Sequence, residues 1–209
     1  MKETQATEFF LCPFFPFFCT LFLLKKMIWF FTPYDDQKRL FYAIDRYIGL
    51  IKNENDWVVI TDGDIAFLRS DFGEVIKRYT ENYPDTGLFT CYASRCHYQV
   101  QVPAGTNIHA DSILYHKKIA DQCARDYKNR IEDIDRKIAG HLMVIRKGTW
   151  VNIREEVYHK TIRKNILGVD SKISFAVLEA GLKIRLIKEL YILHYCRLAE
   201  GMDYDQHLK

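Results

Sequence analysis

From residue 27 onward the chain alternates short apolar runs with longer stretches whose apolar residues recur at helical spacing. Met27 to Thr32 (MIWFFT) is an apolar run stopped by Pro33, as expected of a buried strand. Asp35 or Asp36 can cap a following helix, on which Leu40, Phe41, Ile44, Tyr47, Ile48 and Ile51 form one apolar face. Asn53 to Asp56 is a polar turn. Trp57 to Thr61 is a second strand without polar alternation, which predicts burial on both faces, as in a parallel sheet. Asp71 and Glu74 resemble a capping box at the start of a helix striped by Phe72, Val75, Ile76 and Tyr79. Gly87 to Tyr92 predicts a strand, 93–111 a loop, 117–133 a charged amphipathic helix, and His141 to Arg146 a strand. Gly148 begins a short helical segment ending near Glu155. Asp170 can cap a helix bearing Ile173, Val177 and Leu178, ended by Gly181 where positive φ is usual. Lys183 to Ile187 and Leu190 to Tyr195 are the last strands. Strands alternating with helices predict an α/β sandwich on a mainly parallel sheet. No linker-like break divides 27–209, which reads as a single domain.

Residues 1–26 stand apart. Residues 9–24 read FFLCPFFPFFCTLFLL, followed by Lys25 and Lys26. The run is short for a membrane span, which takes about 20 residues. Glu3 and Glu8, against Lys2 alone, deny it the basic start of a signal peptide. It reads either as a hydrophobic leader giving weak membrane association through residues 9–24, or as an appended or mis-started segment with Met27 as the natural beginning.

Composition narrows the classes. The chain has 209 residues, 48% of them hydrophobic, as in ordinary globular proteins. A net charge of +3 gives no electrostatic case for nucleic acid as a partner. The six cysteines include no CxxC pair and suit a reducing cytosol. Cys91, Cys96 and His97 lie close together, but a zinc site needs a fourth ligand at a recognisable spacing.

The chemistry-bearing stretch is Asp62-Gly63-Asp64, where the apolar strand Trp57 to Thr61 ends. Ligands of open α/β sheets bind outside the carboxyl ends of the strands. Two carboxylates there can hold a hard cation, Mn²⁺ or Mg²⁺, that keeps positions open for phosphate oxygens. The glycine lets the backbone turn tightly. On spacing alone, a plain solvated turn is the competing reading.

Five stretches together resemble a small GT-A-fold glycosyltransferase of the family-2 type with a DxD motif. "FFTPYDD" resembles the first strand and donor-binding loop, and "DWVVITDGDIAFL" the DxD strand. "GHLMVIRKGTW" resembles the central acceptor-side strand. "GVDSKISFAVLEAGLKI" resembles the segment carrying the catalytic carboxylate, and "LYILHYCR" the terminal strand with a metal-binding histidine. The resemblance implies a GT-A-like three-layer sandwich around a nucleotide-diphospho-sugar-binding sheet. It implies a metal site of Asp62, Asp64 and His194, with Asp62 binding the ribose or the metal. It implies Asp170 as general base, and Thr32, Pro33, Tyr34, Asp36, Asp45 and Asp62 on the nucleotide-sugar, with Lys38 and Arg39 near a phosphate. The implied activity is metal-dependent, inverting transfer of a sugar from a nucleotide diphosphate, UDP-linked, to a hydroxyl of a glycan, lipid-linked or other acceptor. The expected location is the cytoplasm, including the inner face of the membrane. The stretch from Met27 to Asp62 is shorter than the family's N-terminal half, and Val169 stands where the family often has glutamate.

Two other functions suit the same features. A nucleotidyltransferase that forms sugar nucleotides generally wants a glycine-rich basic loop, which residues 27–45 lack. A non-catalytic nucleotide-sugar-binding protein would keep the fold without turnover.

Overall fold

The computed structural model of the chain describes residues 26–34, 39–162 and 168–195. Residues 1–25, with the apolar run 9–24, and Asp35, Asp36 and Lys38 lie outside these. The strands are β1 (Ile28–Phe31), β2 (Trp57–Thr61), β3 (Ile65–Phe67), β4 (Thr86–Ala93), β5 (Ile131–Ile134), β6 (Leu142–Arg146) and β7 (Lys183–His194). The helices are α1 (Leu40–Gly49), α2 (Phe72–Asn82), α3 (Ile113–Asp126), α4 (Lys147–Ile162) and α5 (Val169–Glu179).

The strands form one sheet in the order β1-β2-β6-β4-β7, and β3 and β5 both pair with β7. β1 runs parallel to β2, and β4 parallel to β7. β6 lies antiparallel between β2 and β4, and β3 and β5 are antiparallel to β7. The sheet is therefore mixed. Four strands share a direction, but the mainly parallel ladder expected from the sequence is interrupted by β6 at its centre. Helices cover both faces, an α/β architecture.

Period-two geometry sends successive side chains to opposite faces. Val58 and Ile60 of β2 enter a cluster with Ile44, Ile48, Trp150, Val177 and Leu186, drawn from α1, α4, α5 and β7. Trp57 and Val59 point the other way, to Val75, Ile76 and Tyr79 of α2. Burial on both sides is why β2 shows no polar alternation, as its sequence suggested. β1 departs from expectation: it is an edge strand, with Trp29 and Phe30 about two-fifths exposed (40% and 42%).

Other elements differ from the pattern reading. The helix read over 117–133 ends at Asp126, and Ile131–Ile134 turns into strand β5. β7 is one continuous strand where two were read, and α4 continues past Glu155. Asp71 makes no capping bond; its carboxylate accepts from Arg69 at 2.9 and 2.6 Å instead. Asp170 is not the N-cap of α5, because Gly168 holds that position with φ 98° and Asp170 lies in the first turn. Gly181 has the expected positive φ of 72°.

The polar break within β7 has its own compensation. Glu189 is buried, accepts bonds from Tyr79 Oη at 2.9 Å and Asn129 N–H at 2.5 Å, and pairs with Arg78. Arg78 keeps part of its side chain in solvent, so the main loss on truncating Glu189 is the acceptor of Tyr79 Oη and the Asn129 N–H, at about 1–3 kcal/mol for an unsatisfied buried donor. Glu189→Ala is therefore expected to lower unfolding free energy by about 2 kcal/mol in a urea titration.

Candidate active site

Five chain segments meet at one end of the sheet. β2, β4 and β7 deliver their carboxyl ends there, the antiparallel β6 begins there, and α5 brings its first turn. Asp62 follows β2 directly, and its N–H donates to the His141 carbonyl at 3.3 Å, just ahead of β6. The turn at Gly63 then leads into β3, whose Ile65 pairs with His194 at the end of β7. Tyr195 N–H donates to the Asp64 carbonyl at 2.7 Å. This short strand pairing brings the DxD turn to the terminal histidine.

His194 Nε2 lies 3.4 Å from Asp64 Oδ1 and 3.9 Å from Asp62 Oδ2. One ligand atom from each of the three residues lies within 4.8 Å of the others. Among the described residues they are the only such group of metal-ligating side chains. Ser94 grips the His194 backbone, its Oγ accepting from His194 N–H at 2.9 Å. The His194 ring packs against that of His141, with centroids 5.8 Å apart.

The two aspartates differ electrostatically. The hydrogen bond from His194 holds Asp64 below the ordinary carboxylate range. Asp62 is pushed up, first by loss of hydration and then by the charges of Asp64 and Asp170, with His194 opposing. Nearly half of the Asp62 side chain still meets solvent, 47%, so the loss of hydration behind this rise is partial. Crowded carboxylates of this kind are relieved by a cation. Two carboxylates and an imidazole so placed could hold a divalent cation.

Asp170 lies against Gly140, the neighbour in sequence of His141, whose carbonyl holds Asp62, and its charge acts on Asp62. Burial raises its pKa; the N–H groups of Ser171 and Gly140 and the charges of Lys137 and His97 oppose the rise. Ser171 N–H reaches Asp170 Oδ1 at 2.7 Å. Gly140 permits this approach: a Cβ there would stand 2.9 Å from Asp170 Cβ.

The remaining expected residues are placed unequally. Thr32 Oγ1 is 2.9 Å from Thr61 Oγ1, and its methyl faces Gly63, so it borders the DxD turn. Pro33 follows it, and Tyr34 is 79% exposed. Asp45 is engaged elsewhere: its carboxylate accepts from Trp150 Nε1 at 2.9 Å and pairs with Arg154 of α4. Asp36 lies outside the described residues. Cys91 and Cys96 are buried free thiols whose pKa burial raises, Cys96 to about 12, and neither belongs to a group of three metal-ligating side chains among the described residues.

Pattern reading missed His141, Gln101, His97 and Gly140 as neighbours of the site. His141 is fully enclosed, and burial holds its pKa down to about 3, so it is neutral. A Gly-His pair directly before an apolar strand was the available signal for two of these.

No protein-family model matches the chain, and no curated protein matches it. Among the described residues no helix is long and apolar enough to cross a membrane.

Proposed function

We propose that this protein is a divalent-metal-dependent glycosyltransferase of GT-A type, moving a sugar from a nucleotide diphosphate, UDP-linked, to an acceptor hydroxyl. One observation carries the reading: Asp62, Asp64 and His194 come within 4.8 Å of one another at the carboxyl end of the sheet, with Asp170 beside them. Asp64, His194 and Asp62 would hold Mn²⁺ or Mg²⁺, whose charge offsets that building on a departing diphosphate. Thr32, Pro33 and Tyr34 border the donor's nucleotide end.

Asp170 acts on the other substrate. Its carboxylate accepts the acceptor's hydroxyl proton as the acceptor oxygen bonds to the anomeric carbon. The bond from that carbon to the diphosphate oxygen breaks at the same time, and the electron pair leaves with the diphosphate. Attack opposite the leaving group inverts the anomeric configuration. A base with a raised pKa suits this task better than an ordinary surface aspartate, because proton affinity grows with pKa. The acceptor is a glycan, lipid-linked or other hydroxyl compound, and residues 9–24 would add weak membrane association in the cytoplasm.

Calorimetric titration with UDP tests the reading. Binding in Mn²⁺ and its loss in EDTA are expected; equal affinity in both rejects it.

A further inference from the structure

The carbonyl that holds Asp62, the ring that backs His194 and the glycine that admits Asp170 all belong to one strap, Ile138 to Leu142. Gln101 grips this strap. It sits at the end of a short 3-10 turn, Gln99–Gln101, in the loop after β4, and is fully buried. Its Oε1 accepts from Ala139 N–H at 2.7 Å. Its Nε2 donates to Thr90 Oγ1 at 2.8 Å and to the Ala139 carbonyl at 3.3 Å, and lies 3.4 Å from His141 Nε2. Thr90 Oγ1 in turn donates to the Leu142 carbonyl at 2.9 Å. From the opposite side, Ser174 of α5 accepts from Ile138 N–H at 3.3 Å and donates to the Asp170 carbonyl at 2.8 Å.

We propose that Gln101 is a positioning residue for the metal site, fixing Asp62 and His194 through the Ala139–His141 strap. The inference rests on the metal-site reading above. A buried amide costs free energy unless its donors and acceptor are satisfied. An apolar side chain of equal length would fill this space without that demand. The amide instead spends every bond on the strap or on Thr90, which also holds the strap. Through it the grip reaches two of the three ligands: the His141 carbonyl takes the Asp62 N–H at 3.3 Å, and the His141 ring lies against His194. Groups behind metal ligands tune affinity by fixing ligand orientation.

The test measures Mn²⁺ affinity by electron paramagnetic resonance on the full chain, without nucleotide or turnover. Gln101→Met keeps length and removes the polar atoms; about tenfold weaker Mn²⁺ binding is expected, the lower end of outer-shell effects. Gln101→Glu keeps the acceptor for Ala139 N–H and is expected to recover part of the loss; it carries the comparison if Gln101→Met does not fold. Tyr79→Phe is the control for general destabilisation. It removes a hydroxyl bonded to Glu189 and the Arg130 carbonyl on α2's side of the sheet, and its Mn²⁺ affinity should equal wild type although its melting temperature falls. Wild-type affinity in the Gln101 variants, or equal weakening in Tyr79→Phe, overturns the positioning role alone. No Mn²⁺ binding by the wild type overturns the site reading and this inference with it.

Discussion

Asp170→Asn is expected to slow sugar transfer by about a thousandfold, the middle of the range for loss of a general base, while UDP still binds in Mn²⁺. Asparagine keeps the shape, and its oxygen can still accept from Ser171 N–H, so the loss is chemical rather than steric. The pH profile sharpens the test. Burial raises the Asp170 pKa above 3.8, so the basic form accumulates only above that raised value. In the wild type, kcat/KM should fall as pH drops through it; in Asp170→Asn this limb should vanish. Stability moves the other way. A carboxyl whose pKa is higher folded than unfolded binds protons more tightly in the native state. Its contribution is fully present below 3.8 and is lost as pH rises through the folded value. At neutral pH the ionised group is therefore a cost, although a negative charge in the first turn of α5 gains from the helix dipole. Burial outweighs that gain, since the net direction is upward. Asp170→Asn should then melt at or above the wild-type temperature at pH 7. A non-catalytic binding protein would show the stability effect without any loss of transfer.

Asp64→Asn should weaken Mn²⁺ binding by more than about a hundredfold, since changes merely behind the ligands cost 10–100-fold. Titration calorimetry checks it. The metal-free proteins offer a second contrast, because the two aspartates of the motif are shifted in opposite directions. Asp64, lowered by its bond from His194, contributes stability present above 3.8 and lost as pH falls through its folded value. Asp62, raised by lost hydration, is a cost once ionised. In EDTA at pH 7, Asp62→Asn should raise the melting temperature and Asp64→Asn should lower it. Both shifts should be small, because each side chain is about half exposed. In Mn²⁺ both variants should lose the stabilisation that ligand binding gives the wild type.

The sequence made the long elements legible because their patterns are strong. β2 has five apolar or near-apolar residues in succession, and α1, α2 and α5 carry clear apolar faces. It failed where charge and tertiary contacts override pattern. The start of β5 falls within the helix read over 117–133, because the stretch is charged throughout and has no apolar run to mark a strand. In the fold, Glu132 pairs with Lys188 and Asp133 with Arg185 across the strand partners, which makes a charged strand tenable. Glu189 breaks the apolar pattern of β7, yet Arg78, Tyr79 and Asn129 satisfy it and the strand continues. β3 has three residues, too few for any periodicity.

The candidate site was partly legible. Asp62, Asp64 and His194 were expected together and stand together, and Asp170 lies beside them. Asp45 was expected at the donor but bonds to α4. Gln101 has no sequence signature, because a buried amide in a loop follows no period; only its bonds to Ala139 and Thr90 reveal it.

The most direct measurement is anomalous diffraction from crystals soaked in Mn²⁺ and UDP. A single manganese peak bonded to Asp64, His194 and Asp62, and touching the diphosphate, is the predicted result. Nucleotide bound with no manganese between it and these side chains, both aspartates turned to solvent, would contradict it.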